Sequence, residues 1–266
     1  MDAVLSGSSR RALLREASLA LPWQGVASEL AASWHVVALE LLSPEATLRA
    51  LPEQSLAAEA ALPRAVPKRR AEFAAGRHAA ALALARAGCF EAIGRAASGA
   101  PLWPPGFVGS ISHGAGLAVA LVAPVSAVTG VGIDVERLIP DEQREEIASR
   151  ILNDEERARL AAALPTSSAA EHLSLGFSAK ESLYKCLNPL VDRFFEFDAA
   201  HVVDVLPDGA STGSITLALT RPLTTEFPAG FALVGRYAFA PERIETAVWL
   251  GPIRGPLAAH GVAGAK

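Results

Sequence analysis

Followed by where its apolar residues recur, the chain first resolves at KRRAEFAAGRHAAALALARAG, residues 68–88, whose Ala/Leu-rich spacing predicts a helix and whose Gly88 predicts its C-terminal stop. Apolar runs rich in β-branched residues then predict strands at Phe107–Ser112, Leu117–Ala123 and Val128–Glu136. A charged stretch from Asp141 to Leu164, ended by Pro165, predicts a second helix, and FSAKESLYKC, residues 177–186, a third. Strand patterns return at His201–Leu206, Ser214–Leu219, Phe231–Phe239 and Thr246–Leu250. Helix plus strands thus occurs before Gly130 and again after it, without a close repeat, which predicts two α/β halves of similar size. The first sixty residues are Ala/Leu-rich, broken at Pro52, Pro63 and Pro67. The closing GPIRGPLAAHGVAGAK is rich in Gly, Pro and Ala and is expected to be disordered.

Within FSAKESLYKC, a helical wheel places Phe177, Ala179, Leu183, Tyr184, Cys186 and Leu187 on one arc and Glu181 and Lys185 opposite. Lys180 departs from the pattern, falling between Tyr184 and Leu187 on the apolar side. Taken alone, the stretch fits an exposed i,i+4 ion pair, worth roughly 0.2–0.5 kcal/mol, beside a snorkelling lysine stem. The rest of the chain has to show whether it is more than that.

Composition narrows the field. With 51% of its 266 residues hydrophobic the chain can bury a core, and a net charge of −4 without a basic block argues against nucleic acid held by counterion release. Cys89 and Cys186 have no metal-ligand or redox spacing, so both are expected to be small core residues in a reducing compartment, the cytoplasm. Arg10 and Arg11 near the start are soon followed by Arg15 and Glu16 with no long apolar run, which does not suit a signal peptide. From Ala96 to Ile133 there is no Asp, Glu, Lys or Arg, and GLAVALVAPVSAVTGVGI is nominally long enough to span a bilayer. Pro124, the punctuating Gly, Ser and Thr, and the β-branched residues instead predict strand, turn, strand, with no stable membrane insertion.

Chemistry is concentrated in a few places. In TGVGIDVE, alternation puts Gly130, Gly132, Asp134 and Glu136 on one strand face, so two carboxylates project together beside glycines that leave room for something bulky. Such a pair suits a hard cation such as Mg²⁺, or ends an edge strand in solvated acids. GSISHGAG sets His113 at a strand end before a turn at Gly114 and Gly116, either as a structural histidine or as a ligand contact, with Ser112 beside it able to donate to a phosphate. Arg70 and Arg77 share a helix face near Phe73, with Arg69 at its edge, forming a solvated surface or a fork for phosphate groups.

The order RRAEFAAGR, GAPLWPPGFVGSISH, GVGIDVE, FSAKESLYKC and NPLVDRFFEF, spanning Lys68 to Asp198, resembles the 4′-phosphopantetheinyl transferases, of the monomeric type associated with enterobactin-like siderophore synthesis. The resemblance implies an α+β fold of two similar α/β halves related by a pseudo-twofold, each a small, mainly antiparallel sheet packed with helices. Residues 1–129 would carry the coenzyme A phosphate contacts, 130–252 the metal site and catalytic helix, and 253–266 the tail. It implies Mg²⁺-dependent transfer of the phosphopantetheine arm of coenzyme A to a serine of an apo-acyl or peptidyl carrier protein, releasing adenosine 3′,5′-bisphosphate.

By the same resemblance Asp134, Glu136 and Glu181 hold Mg²⁺, Glu181 takes the serine proton and Lys185 lies over the pyrophosphate. Ser112 and His113 match pyrophosphate and 3′-phosphate contacts, and Arg69, Arg77 and Arg95 match coenzyme-binding basic residues. Gly114 stands where such relatives often carry Cys, and Ala100 where some carry a basic residue, which puts the part of Arg95 in question. Two rivals remain: a silent coenzyme A sensor or carrier-protein-binding module, and a generic Mg²⁺-dependent phosphohydrolase. All three acids and Lys185 are present, against the first, and the second gives no reason for the S-I-S-H and W-P segments.

Overall fold

The computed structural model describes residues 14–20, 33–56, 62, 64–96, 98–140 and 147–252. The calls on Arg10, Arg11, Pro63, the start of the charged helix at Asp141 and the tail 253–266 lie outside these residues. An N-terminal sheet has the order β1-β5-β4, built from β1 (His35–Glu40), β4 (Phe107–Gly114) and β5 (Leu117–Pro124), all antiparallel. Short helices α1 (Pro44–Ala50) and α2 (Glu53–Leu56) precede α3 (Pro67–Arg86), and a small ribbon pairs β2 (Gly94–Arg95) with β3 (Pro101–Leu102).

The face of α3 that meets the sheet is nearly all alanine: Ala71, Ala74, Ala75, Ala79, Ala80 and Ala83 are buried. Small side chains let the helix sit close, and at Gly76 even a Cβ would press to 2.8 Å from Ile111 Cγ2. Gly88 ends α3 as expected, at φ +79, with Cys89 N–H donating to Leu84 O and Gly88 N–H to Ala85 O. These bonds satisfy carbonyls that the helix end would leave without partners.

The larger sheet has the order β6-β10-β9-β8-β7, from β6 (Gly130–Arg137), β7 (Ala200–Pro207), β8 (Thr212–Leu219), β9 (Ala232–Ala240) and β10 (Arg243–Leu250). Every neighbouring pair in it is antiparallel. Helix α5 (Ala169–Val191) lies across it, with Leu175, Leu183 and Leu187 in a core shared with Val202, Ile215, Leu217 and Phe227. A capping box between Ser168 and Glu171 starts α5. The apolar run that could have spanned a bilayer is β5, a turn and β6, and among the described residues no helix is long and apolar enough to cross a membrane.

Between the two sheets the join is made by side chains. Ser110 Oγ accepts from Ile133 N–H at 3.0 Å and Ser112 Oγ from Val135 N–H at 3.2 Å, where a continuous sheet would have backbone carbonyls. Val131, Ile133 and Val135 pack on this side with Leu117, Val119, Leu121 and Trp34, whose ring meets Trp249 edge-on at 5.5 Å.

Four expectations change. β1 arises inside the Ala/Leu-rich start, paired with β5 far along the chain. The charged segment is not one helix: Asn153 caps a separate α4 (Asp154–Ala163), its side chain accepting from Glu156 N–H while Glu156 bonds back to Asn153 N–H. β4 runs on through Gly114, so His113 lies within the strand, and the hairpin turns at Ala115 (φ 49) and Gly116 (φ 78). The β6 glycines make room for α5: a Cβ on Gly132 would clash with Ser182 O, and one on Gly130 would stand 2.7 Å from Cys186 O.

Candidate active site

Because α5 is pressed so closely on β6 and β10, the row it turns toward them is small and polar. The hydroxyls of Ser178 and Ser182 each lie 2.8 Å from Thr246 Oγ1. Ser178 also donates to Asp134 Oδ2 at 2.8 Å. On Asp134 the other oxygen, Oδ1, accepts from Lys185 Nζ at 2.6 Å and from Ser112 Oγ at 3.0 Å. Ser112, buried, is fully used: it donates to Asp134 and accepts from Val135 N–H and from Lys185 Nζ at 3.1 Å. Its one proton is directed at Asp134 in this structure.

Glu136 and Glu181 complete the acidic group, both half-buried. Burial, the nearby Asp134 carboxylate and, more weakly, Glu181 push Glu136 up to about 7, against the opposing pull of Lys185. Burial, with Asp134 adding, also raises Glu181 while Lys185 opposes. Among the described residues Glu181 and Lys185 do not form the ion pair that their spacing suggested, since Lys185 reaches across to Asp134. Among the described residues no three acidic, His or Cys side chains are gathered as a metal-holding group. The chemistry of the acids nonetheless fits a hard cation: they offer oxygen donors only, and their crowding disfavours the charge that a divalent ion would relieve.

His113 is held neutral. Burial, then Arg69 and Lys185, lower it to about 4. One ring nitrogen faces the Arg69 guanidinium and Nδ1 lies 3.5 Å from Glu72 Oε2. With Lys68, Glu72, Gly114, Glu136 and Arg137 it lines a cleft of about 600 Å³ between the halves. Arg77 and Arg95 sit further along, over one ring: their guanidinium carbons lie 5.3 and 5.7 Å from the Phe73 centroid. Arg77 is buried and donates to Ile93 O at 3.2 Å and Gly94 O at 2.5 Å, holding the ribbon that carries Arg95. It is thus a support for that ribbon, and Arg69 and Arg95 are the exposed arginines of the set.

Lys180 has its explanation in a part of the chain that the wheel could not show. Nζ donates to Ile151 O at 2.6 Å and pairs with Glu156 Oε1 at 2.8 Å, both side chains buried. Burial lowers the Lys180 pKa although Glu156 opposes it. The snorkelling stem is thereby corrected: the ammonium goes inward to a partner, not outward to water.

A second, smaller pocket of about 270 Å³ opens beside Glu181, walled by Tyr184, Phe194, Phe195 and Phe197. The Tyr184 ring packs 5.6 Å from Phe194 and 5.0 Å from Phe195. The helical wheel sets Tyr184 on the apolar arc, and Phe194 enters the sequence reading only within the NPLVDRFFEF motif, with no role of its own; the aromatic cluster RFFEF just after α5 was the signal for the pocket.

The α+β chain thus brings acids, a lysine and a histidine together where its halves meet, a cluster of the kind enzymes use for proton transfer and ion binding. Residues 57–123 match the 4′-phosphopantetheinyl transferase N-terminal domain and residues 130–232 the 4′-phosphopantetheinyl transferase superfamily. The chain is 37% identical over 180 residues to the 4′-phosphopantetheinyl transferase Npt of Nocardia iowensis, covering 66% of this chain and 76% of that protein. It is 34% identical over 216 residues to PptT of Mycobacterium tuberculosis, covering 79% and 90%. With enterobactin synthase component D of Salmonella typhi it shares 39% identity over 139 residues, 52% of this chain and 56% of that protein. The chain belongs to the 4′-phosphopantetheinyl transferase superfamily and is an enzyme of that kind.

Proposed function

We propose that the protein moves the phosphopantetheine arm of coenzyme A onto a serine of an apo-carrier protein, with Mg²⁺, releasing adenosine 3′,5′-bisphosphate. The observation that carries this is the position of Glu181. It lines the narrow aromatic pocket, and its charge also acts on Glu136, which lines the larger polar cleft. A phosphorus between a nucleotide lying in the cleft and an arm lying in the pocket would sit beside that carboxylate.

Asp134, Glu136 and Glu181 are the residues that would hold the metal. Bound there, Mg²⁺ would neutralise phosphate charge and favour the departing bisphosphate. Glu181, its basicity raised by burial, accepts the proton of the incoming serine hydroxyl. Lys185 meets leaving-group charge. His113 offers a ring nitrogen for a hydrogen bond to a coenzyme phosphate, and Arg69 and Arg95 supply the cationic contacts. Tyr184 and Phe194 would flank the extended arm. Action as a monomer follows the type the chain resembles, and the buried free thiols Cys89 and Cys186 suit the cytoplasm. Residues 1–129 contribute the phosphate contacts and 130–252 the acids.

Mass spectrometry of a panel of apo-acyl and apo-peptidyl carrier proteins, incubated with the protein, coenzyme A and Mg²⁺, tests this reading. Siderophore-pathway carriers come first, given the enterobactin synthase relatives. A carrier heavier by one arm, with equimolar adenosine 3′,5′-bisphosphate, is expected. Coenzyme A cleaved without carrier modification, or not consumed by any carrier, would overturn it.

A further inference from the structure

The carboxylate of Asp134 is nearly closed to solvent, at 1% exposure, and its oxygens already have partners: Ser178 on Oδ2, Ser112 and Lys185 on Oδ1. The Lys185 ammonium, 2.6 Å from Oδ1, stands where a cation ligated by that oxygen would stand. Two positive ions cannot share that position, because their repulsion at contact distance in a poorly solvated site outweighs what a single carboxylate returns.

Lys185 is also only partly enclosed. Its side chain is 25% exposed, and its remaining contacts are the Ser112 hydroxyl and, at 3.3 Å, Ile133 O. What would draw it away is an anion with more charge than one carboxylate, presented from the cleft. Resting on the proposed function, we infer that Lys185 is an internal counter-ion that holds the place of the metal until coenzyme phosphates take the ammonium. Metal and coenzyme A then bind with positive coupling: each makes room for, or attracts, the groups that the other needs. Without the coenzyme the site is self-neutralised and binds a divalent ion weakly.

Mn²⁺ binding, counted by loss of the free-ion paramagnetic resonance signal, tests this with no carrier protein present, so that no turnover occurs. In the parent protein coenzyme A should tighten Mn²⁺ binding between about five- and 150-fold, the ordinary span of coupling between two sites. By reciprocity Mn²⁺ should tighten coenzyme A binding by the same factor, measured by calorimetry. Lys185→Met should bind Mn²⁺ more tightly than the parent when coenzyme A is absent, and should lose most of the coupling. Should that variant fold poorly alone, Mn²⁺ should raise its melting temperature by more than it raises the parent's. The parent measurements need no variant: Mn²⁺ affinity unchanged by coenzyme A overturns the counter-ion role while leaving metal-dependent transfer standing. Mn²⁺ bound in neither condition would overturn the metal reading itself, and the counter-ion role with it.

Discussion

The two faces of α5 each carry a lysine paired with an acid, and the pairs behave oppositely. On the back face Lys180 and Glu156 are both closed to solvent, and the Glu156 oxygens also accept from Asn153 N–H and Val202 N–H. Lys180 ties α5 to Ile151 and to Glu156 of α4, Glu156 in turn caps α4 and holds β7 at Val202, and none of these bonds leads to the cleft. On the front face Lys185 and Asp134 sit where the two halves meet, and the lysine is partly open to water. A closed pair fixes a helix; an open one can change partners. Chemistry falls on the second because only there can an incoming ion compete for the charges.

The sharpest test of the contrast is Asp134→Ala. It should leave no transfer above background in an initial-rate assay with one carrier protein, and it should also lower the melting temperature, because Lys185 and two serines lose their acceptor. Activity within a few-fold of the parent would erase the distinction between the faces. Glu156→Gln is the counterpart on the back. Removing one partner of a buried ion pair costs about 3–5 kcal/mol, so urea unfolding should show a loss of that size. The fraction still folded should transfer at close to the parent rate; a rate loss exceeding the folding loss would mean the back pair also serves the chemistry.

Glu181→Gln comes next in size. It should slow transfer by at least about a hundredfold, the lower range for a lost acid–base group, with thermal unfolding close to the parent. Arg77→Ala should act more mildly and through the ribbon: the coenzyme A KM should rise by about tenfold with kcat little changed, since the carbonyls of Ile93 and Gly94 lose their charged donor. The last test concerns His113 and reads stability against pH, where the other site variants are read by rate. Its folded value near 4 lies below the ordinary 6.5, so the folded protein binds fewer protons between those pH values, and stability should fall as pH drops through that window. His113→Gln should flatten that part of the stability profile, followed by denaturant midpoints from pH 7 to pH 4.

Local pattern carried much of this architecture. The strands from Phe107 onward, the Gly88 stop and the helix through FSAKESLYKC depend on spacing and turn chemistry that neighbouring residues express. What it missed depends on partners distant in sequence. His35–Glu40 becomes a strand through pairing with Leu117–Val122, and nothing within the Ala/Leu-rich start announces that. Lys180 looked misplaced because Glu156 belongs to another helix. The β6 glycines suggested open space beside the acids, and only packing could reveal that α5 fills it. One miss had a local signal: Asn153 three residues before Glu156 is a capping pattern, overlooked within a long charged run. For the candidate site, the motifs named residues that the fold brings near one another, while the pairing of Lys185 with Asp134 in place of its helix neighbour Glu181 depends on how α5 packs on β6.

The serine join between the sheets makes one atom a gauge of how the halves are aligned. Ser112 Oγ bonds the β6 backbone at Val135, the Asp134 carboxylate and the Lys185 ammonium at once. A shift of β4 against β6 by the length of a single hydrogen bond cannot be absorbed elsewhere; it would remove a donor from the acid and an acceptor from the lysine in the same movement. Misalignment anywhere along this boundary is thus converted into a change of charge balance at the site, so the enzyme's geometry and its electrostatics cannot drift independently.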